Sequence, residues 1–500
     1  MNIHSEKRHD EPDRMRRQAD ARGVPADIMM PRVLLVVASF LLVLVGLVMV
    51  FSASTVETIS QGDSIFSYVG KQALFAVAGA IGAFIIAKFI PYHVWKGGLG
   101  FRLTWGVCAL LLLAVPFVGT EILGAKRWIL IGGFSLQPTE FAKIAIVLAA
   151  AKVLYDFRNE FTDTKQAIVS SVVLVVLPVA FLYKTQSDMG SAAIILVGIL
   201  TAMWLGEFPM KRLIPLVVVV GVVGVIGLAG YRSDRISVWL NPWDDGEGGY
   251  GTGYQMIRSF YAFAEGGIFG VGLGNSREKF LYLPEAETDF IFSIIGEELG
   301  LIGALFVIAL FMVVLFAGLR IAHHAPDNFG CMMAGSLTVM LVAQAFLNMA
   351  CATGLLPTTG KPLPFISSGG SSILASLFMV GLIMSVSVGS NTLTPHERRR
   401  NDLNVIRVDD QRPRVRGANE DDKRNSRGGG LRSRAQRVRA AVPTRPSRGG
   451  RSANSARVSP SSRSERRSRD AVRAREERGR ERTPRNGTKG REGVSERSRR

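Results

Sequence analysis

Residues 283–300 read LPEAETDFIFSIIGEELG and set five carboxylates (Glu285, Glu287, Asp289, Glu297, Glu298) around the start of an apolar run that continues to about residue 319. An ionised acid in hydrocarbon costs roughly 2.5 kcal/mol or more. Acids at such a point therefore need a reason to be there. In a helix, the eight residues from Asp289 to Glu297 separate the two side chains by about 80° in rotation and roughly 12 Å along the axis. Asp289 is then the acid at the mouth, Glu297 lies deeper on a similar flank, and Glu298 points the opposite way. Glu285 and Glu287 read as solvated loop acids.

Outward from this stretch the same kind of run recurs. The chain has 500 residues, of which 48% are hydrophobic, and its mean hydropathy is +0.23. That is too apolar for a soluble protein that also carries a strongly polar tail. Ten segments approach the ~20 residues that cross a bilayer: 33–53, 72–90, 103–119, 141–157, 166–184, 190–206, 213–230, 290–319, 332–356 and 370–390. The expected fold is an all-α polytopic membrane protein of about ten transmembrane helices. The first run follows a mixed-charge arm (1–32) and has no A-x-A cleavage site, so it reads as a retained span rather than a removable signal.

Ten spans put both termini on one side. Lys88, Lys96, Arg102, Lys152, Arg158, Lys165, Lys211, Arg212 and Arg320 fall in connections on that side, together with the basic arm and tail. The positive-inside rule makes it cytoplasmic. The connection between helices 7 and 8, residues 231–289, is then a large extracytoplasmic loop. A loop of that length in a compact protein is usually functional or disordered. Its apolar stretch from Met256 to Phe263 predicts short interfacial helices, with Trp239, Trp243 and Tyr261 near the headgroups.

The net charge of +19 is confined to one end. From Thr394 onward there are 33 Lys and Arg against 14 Asp and Glu, whereas the rest of the chain holds 27 of each. With almost no aromatic residues, the 392–500 tail is expected to be a disordered cytoplasmic extension. Its charge suits anionic lipid or an acidic protein and implies no specific nucleic-acid binding. Cys108, Cys331 and Cys351 sit in or beside apolar runs without metal-ligand spacing. The glycines of GGIFGVGLG (266–274) follow no strand and match no phosphate-loop template. No G-x-S-x-G elbow or paired-histidine motif occurs.

Four polar clusters meet the outer ends of the spans. In GAKRWILIGGFSLQPTEFAK (124–143), Glu140 and Lys143 are three apart at a helix start, share a face and can neutralise each other. Lys126 and Arg127 precede them, suited to a phosphate or to headgroups. In KTQSDMGSA (184–192), Asp188 stands where an N-cap belongs. In TGLLPTTGKPLPFISSGGSS (353–372), Ser367 and Ser368 open a helix whose N-terminus favours anions, with Lys361 adding positive charge, or whose small residues serve close helix packing. The fourth cluster is the opening stretch.

At these clusters, and at Ser52–Ser54, the sequence resembles the SEDS family (shape, elongation, division and sporulation), whose members are polytopic bacterial glycosyltransferases that polymerise peptidoglycan from lipid II. The resemblance covers residues 33–391, and GNSREKFLYLPEA with IIGEELG is most like the cell-division branch. It implies that Asp289, in the TDF motif, is the essential aspartate, and that Glu140 and Lys143 form the family's membrane-embedded polar pair. Glu287 replaces a usual histidine and Ser187 a usual proline. If Glu287 approached Asp289 it would raise that carboxyl's pKa.

The implied reaction joins lipid II to an undecaprenyl-pyrophosphate-linked glycan with inversion, Asp289 acting as general base. Lys126, Arg127, Lys361, Arg258, Arg232, Arg235, Ser367 and Ser368 are the candidates for the pyrophosphate, and Glu297 and Asp188 are supporting acids. No organic cofactor is implied, and a divalent cation is compatible. The resemblance further implies a class B penicillin-binding protein transpeptidase as partner, with other division proteins, at the septal plasma membrane. Two other readings stay open on the residues alone. One is a lipid II flippase using the Glu140–Lys143 cavity; the other is a septal scaffold acting through its tail. Within the family, the elongation and sporulation types are the alternatives.

Overall fold

The computed structural model describes residues 26–60, 65–122, 125–132, 134–159, 161–209, 233–245 and 247–390, with isolated positions from 211 to 218. The arm before residue 26, nearly all of the predicted seventh span, Arg232 and the tail lie outside these.

The protein is a multi-pass helical membrane protein. Its helices are α1 (Ala26–Ser60), α2 (Ile65–Phe89), α3 (Gly98–Val118), α4 (Pro138–Arg158), α5 (Thr164–Gln186), α6 (Met189–Leu205), α7 (Ser233–Leu240), α8 (Tyr254–Gly266), α9 (Ile291–His323), α10 (Asn328–Ala352) and α11 (Gly370–Gly389). Among the described residues seven are long and apolar enough to cross a bilayer. The fourth and sixth predicted spans are also helices, but α4 carries five charges and α6 has only 17 residues.

The core lies along α10 and α11, whose apolar segments are 72% buried, while α2 and α5 expose most of theirs on the rim. Asp327 caps α10 by accepting from Gly330 N–H (2.8 Å), and Pro138 opens α4 where its missing N–H is harmless. Within α5, Pro178 cannot donate to Leu174 O. Trp105 Nε1 of α3 supplies that bond instead, at 3.2 Å, and the helix takes a π turn over Val172–Val176.

Two features go beyond the sequence reading. Three short strands, β1 (Thr120–Ile122), β2 (Ala125–Ile131) and β3 (Phe134–Leu136), pair as an antiparallel sheet. Phe134 meets Phe75 of α2 edge-on at 5.2 Å. The sheet delivers the chain to Gln137 and the start of α4.

The second feature is a break in α9. Gly300 has φ 68° and ψ −168°, inside an otherwise helical run. In an unbroken helix, Glu297 O and Glu298 O would accept from Leu301 and Ile302 N–H. Here Val271 N–H and Gly272 N–H bond those carbonyls (2.9 and 3.0 Å), and Leu301 and Ile302 donate to Gly267 O and Ile268 O (2.9 and 3.3 Å). Non-helical backbone at membrane depth survives only where such partners exist. The GGIFGVG segment is therefore a plug that completes a broken membrane helix. Its Phe269 side chain, 81% exposed, faces outward with Ile268, Leu301 and Ile302. The 231–289 connection also contains short helices, two among its described residues, as expected. Trp239 Nε1 of α7 donates to Gly354 O (2.8 Å), and α8 buries Met256, Ile257 and Ala262.

Candidate active site

Asp289 lies in the turn just ahead of α9, so α9 holds the acid at the bundle mouth. The backbone carrying it is clamped. Asn348 Nδ2 of α10 donates to both Asp289 O (2.8 Å) and Lys361 O (2.7 Å). Ser367 Oγ donates to Thr288 O (2.5 Å), and Ser368 N–H to Glu287 O (2.8 Å). Ser367 thus turns its hydroxyl onto the acid's own turn and its amide onto Leu363 O (3.0 Å), presenting neither to an anion. Ser368 is tied to the same strand through its amide. Sequence reasoning missed Asn348, a single amide within an apolar helix. Ser367→Ala is expected to lower stability by about 1 kcal/mol and to slow the reaction more at the acid's turn than elsewhere; thermal melting and kcat measured together check it.

The Asp289 carboxylate itself has no hydrogen bond from the described side chains. Crowded by protein yet still meeting solvent, its pKa is pushed up to about 6, first by burial and then by Glu285. Lys361, Arg127 and Arg235 pull in the other direction. The acid acting most on it is thus Glu285. A Cβ on Gly360 would fall 3.3 Å from Asp289 Oδ2, so the 357–369 segment lies directly against the acid.

The predicted cations are differently placed. Lys361 is buried and bonds Asp188 Oδ2 (2.6 Å) and Ser191 Oγ (2.7 Å). It is engaged inside the protein and does not present a free ammonium to a ligand, which corrects its expected role. Asp188 is the N-cap of α6, accepting from Ser191 N–H (3.0 Å), and is also this lysine's counter-ion. Arg127 donates to Gln186 O and Ser187 O (2.8 and 3.1 Å), fastening the turn before Asp188. Arg235 donates to Thr358 O (2.7 Å), and Lys126 is exposed. Arg258 bonds Glu278 (3.4 Å) with its guanidinium 4.8 Å from the Tyr282 ring, away in the loop.

Deeper in the bundle, Lys143 pairs with Glu140 at 2.6 Å and also bonds Gln344 of α10, as the spacing of the pair foretold. Gln344 reaches Pro362 O (3.0 Å), linking this pair to the Lys361 segment. Both glutamates of GEELG are structural. Glu297 accepts from Ser276 Oγ (2.6 Å) and Arg277 N–H (2.5 Å). Glu298 accepts from Ser52 Oγ (2.6 Å) and Lys279 Nζ (3.0 Å), joining α1, α9 and the large loop. Asp245 organises the far part of that loop, accepting from four backbone amides, Gly249 foremost, which hold its carboxyl at about 2. Among the described residues no three His, Cys, Asp or Glu side chains converge as metal ligands.

A broken-helix membrane bundle with one lightly paired acid at its mouth defines the class; the comparisons name the family. The sequence model described as cell cycle protein, covering FtsW, RodA and SpoVE, matches residues 32–392. The chain belongs to this family, the SEDS proteins. It is 38% identical over 359 residues to stage V sporulation protein E of Bacillus subtilis, covering 71% of this chain and 97% of that one. It is 40% identical over 345 residues to a probable peptidoglycan glycosyltransferase FtsW of Geobacter metallireducens, covering 68% and 90%. Among solved structures, a chain of a peptidoglycan synthase complex aligns with TM-score 0.56 and 25% identity over 71% of this chain and 97% of that one. Thermus thermophilus rod shape determining protein RodA aligns with TM-score 0.52 and 26% identity over 72% and 97%.

Proposed function

We propose that this chain is a peptidoglycan glycosyltransferase that polymerises lipid II at the division septum, with Asp289 as general base. Glycosyl transfer follows from family membership and from relatives that carry that activity in their names. The observation that carries the base assignment is the state of Asp289. It is a half-buried carboxylate with no hydrogen bond from a described side chain, its pKa pushed up to about 6 by burial, and it is clamped by its backbone at a bundle mouth. A general base works best with a pKa near the working pH.

In the reaction, Asp289 takes the proton of the acceptor's 4-hydroxyl as that oxygen bonds to C1 of the donor's N-acetylmuramic acid. The bond from C1 to undecaprenyl pyrophosphate breaks, and the electron pair leaves with the pyrophosphate. The α-linked donor gives a β-1,4 product in one inverting step. Lys126 and Arg235 are the cations nearest water for the leaving charge, while the lipid tails stay in the bilayer. The division assignment rests on the GNSREKFLYLPEA and IIGEELG forms. A class B penicillin-binding protein is the expected partner; a fold neighbour from a peptidoglycan synthase complex supports this.

The test is reconstituted full-length protein supplied with labelled lipid II, alone and with its transpeptidase, the products being resolved by gel. Glycan ladders are expected. Lipid II that crosses the bilayer but stays monomeric under both conditions would make the protein a flippase instead.

A further inference from the structure

The Lys361–Asp188 pair has no place in the reaction above, yet it is built into the same wall. The backbone at Gly360, the residue before Lys361, runs so close to Asp289 that a Cβ added there would fall 3.3 Å from the carboxylate, and Asn348 ties the Asp289 and Lys361 backbones together through one amide. The lysine's close contacts are with Asp188 and Ser191, and both partners of the ion pair are 1% exposed in their side chains. A charge so enclosed is screened far less than one in water. Its turn is fastened from behind by Arg127.

We propose that Lys361, tethered by Asp188, is a positioning residue that keeps Asp289 ionised during catalysis while being held back from pairing with it. The proposal rests on the reading of Asp289 as the base. Two opposing faults explain the arrangement. Burial beside Glu285 alone would leave the acid protonated and unable to accept a proton. A direct ion pair with a lysine would hold it ionised but make it too weak a base. A lysine anchored on a second carboxylate avoids both.

The groups facing Asp289 agree. Glu285 comes from its own turn, Arg127 from β2, Arg235 from α7, Lys361 from the segment before α11, and the Cys351 thiol from α10. Of the cations, Lys361 acts most strongly on the acid, ahead of Arg127 and the exposed Arg235.

The experiment follows the rate of lipid II polymerisation against pH in reconstituted full-length protein. In Lys361→Gln the acid limb of the profile is expected to move up by about one pH unit, and in Lys361→Arg to stay near the wild-type position. Asp188→Asn frees the lysine toward Asp289, so the limb is expected to move down while the maximal rate falls. The double variant Asp188→Asn with Lys361→Gln leaves no member of the pair charged and unpaired, and so keeps the fold while showing an upward shift smaller than that of Lys361→Gln, because the Asp188 charge is removed with the lysine's. A purely structural pair would change abundance and leave every limb in place; an unmoved limb in the double variant overturns the proposal. Asp289→Asn is run alongside. If it polymerises normally, the base reading itself fails; if it is inactive and the limb is unmoved, only the role of Lys361 fails.

Discussion

Asp289→Asn is expected to cut lipid II polymerisation by about 10²- to 10⁴-fold while raising the melting temperature of the protein at pH 7.5. The two effects have one cause. The asparagine amide cannot accept the hydroxyl proton, so the general-base contribution vanishes. The carboxylate it replaces receives no side-chain hydrogen bond among the described residues, so no partner is orphaned by the change. Burial raises the folded-state pKa from the ordinary aspartate value to about 6. The folded protein therefore binds a proton more tightly than the unfolded chain does. Stability from this group is full below about pH 4 and is lost as pH rises through 6. Above that, the ionised acid destabilises the fold by something on the order of 3 kcal/mol, which asparagine removes. Wild-type activity runs the other way, present above pH 6 and falling below it. Activity within tenfold of wild type would remove Asp289 from the base role, and a lower melting temperature for the variant would show that the ionised carboxylate does not destabilise the fold.

The physics of spans made most of the bundle legible, and the site was legible only in part. A run of apolar residues near the length of a bilayer has few alternatives to a membrane helix, so the described helices fall where the hydropathy put them. Glu140 and Lys143 were readable because three residues on a helix fix their geometry. Asp289 was readable as a mouth acid because FIFSII follows it. Contacts between distant residues were not readable. Lys361 meets Asp188 across 173 positions and Ser52 meets Glu298 across 246. Local periodicity carries no signal of either. A lone lysine among prolines looked like a free cation, and a serine before a helix looked like an anion site, because distance between segments is absent from a local pattern. The sheet was missed for another reason: WILIGGFSL is a short apolar run, and such runs do not distinguish strand from buried helix.

Gly300→Ala is expected to cause a large loss of folded protein. The backbone at 300 lies in a region that only glycine enters readily, which alone costs about 1–3 kcal/mol for another residue. The added Cβ would also fall 2.3 Å from Gly270 N and 2.5 Å from Ile268 O. Those are backbone atoms, so no side chain can swing aside, and forcing them apart costs about 1–3 kcal/mol more. Separation would then break the exchange of four hydrogen bonds that lets α9 be discontinuous at this depth. In water the freed groups would find solvent; facing lipid they find nothing. The loop displaced with them carries Ser276 and Lys279, the partners of Glu297 and Glu298. Damage at one glycine therefore spreads to both buried acids and to the turn that presents Asp289. Detergent-solubilised Gly300→Ala should run as aggregate on size exclusion, or melt well below wild type, with activity lost in proportion to folded protein. If the variant melts within about 2 °C of wild type, on a scale where 1 kcal/mol moves a domain of this size by a few degrees, the 266–272 segment is not what completes the helix.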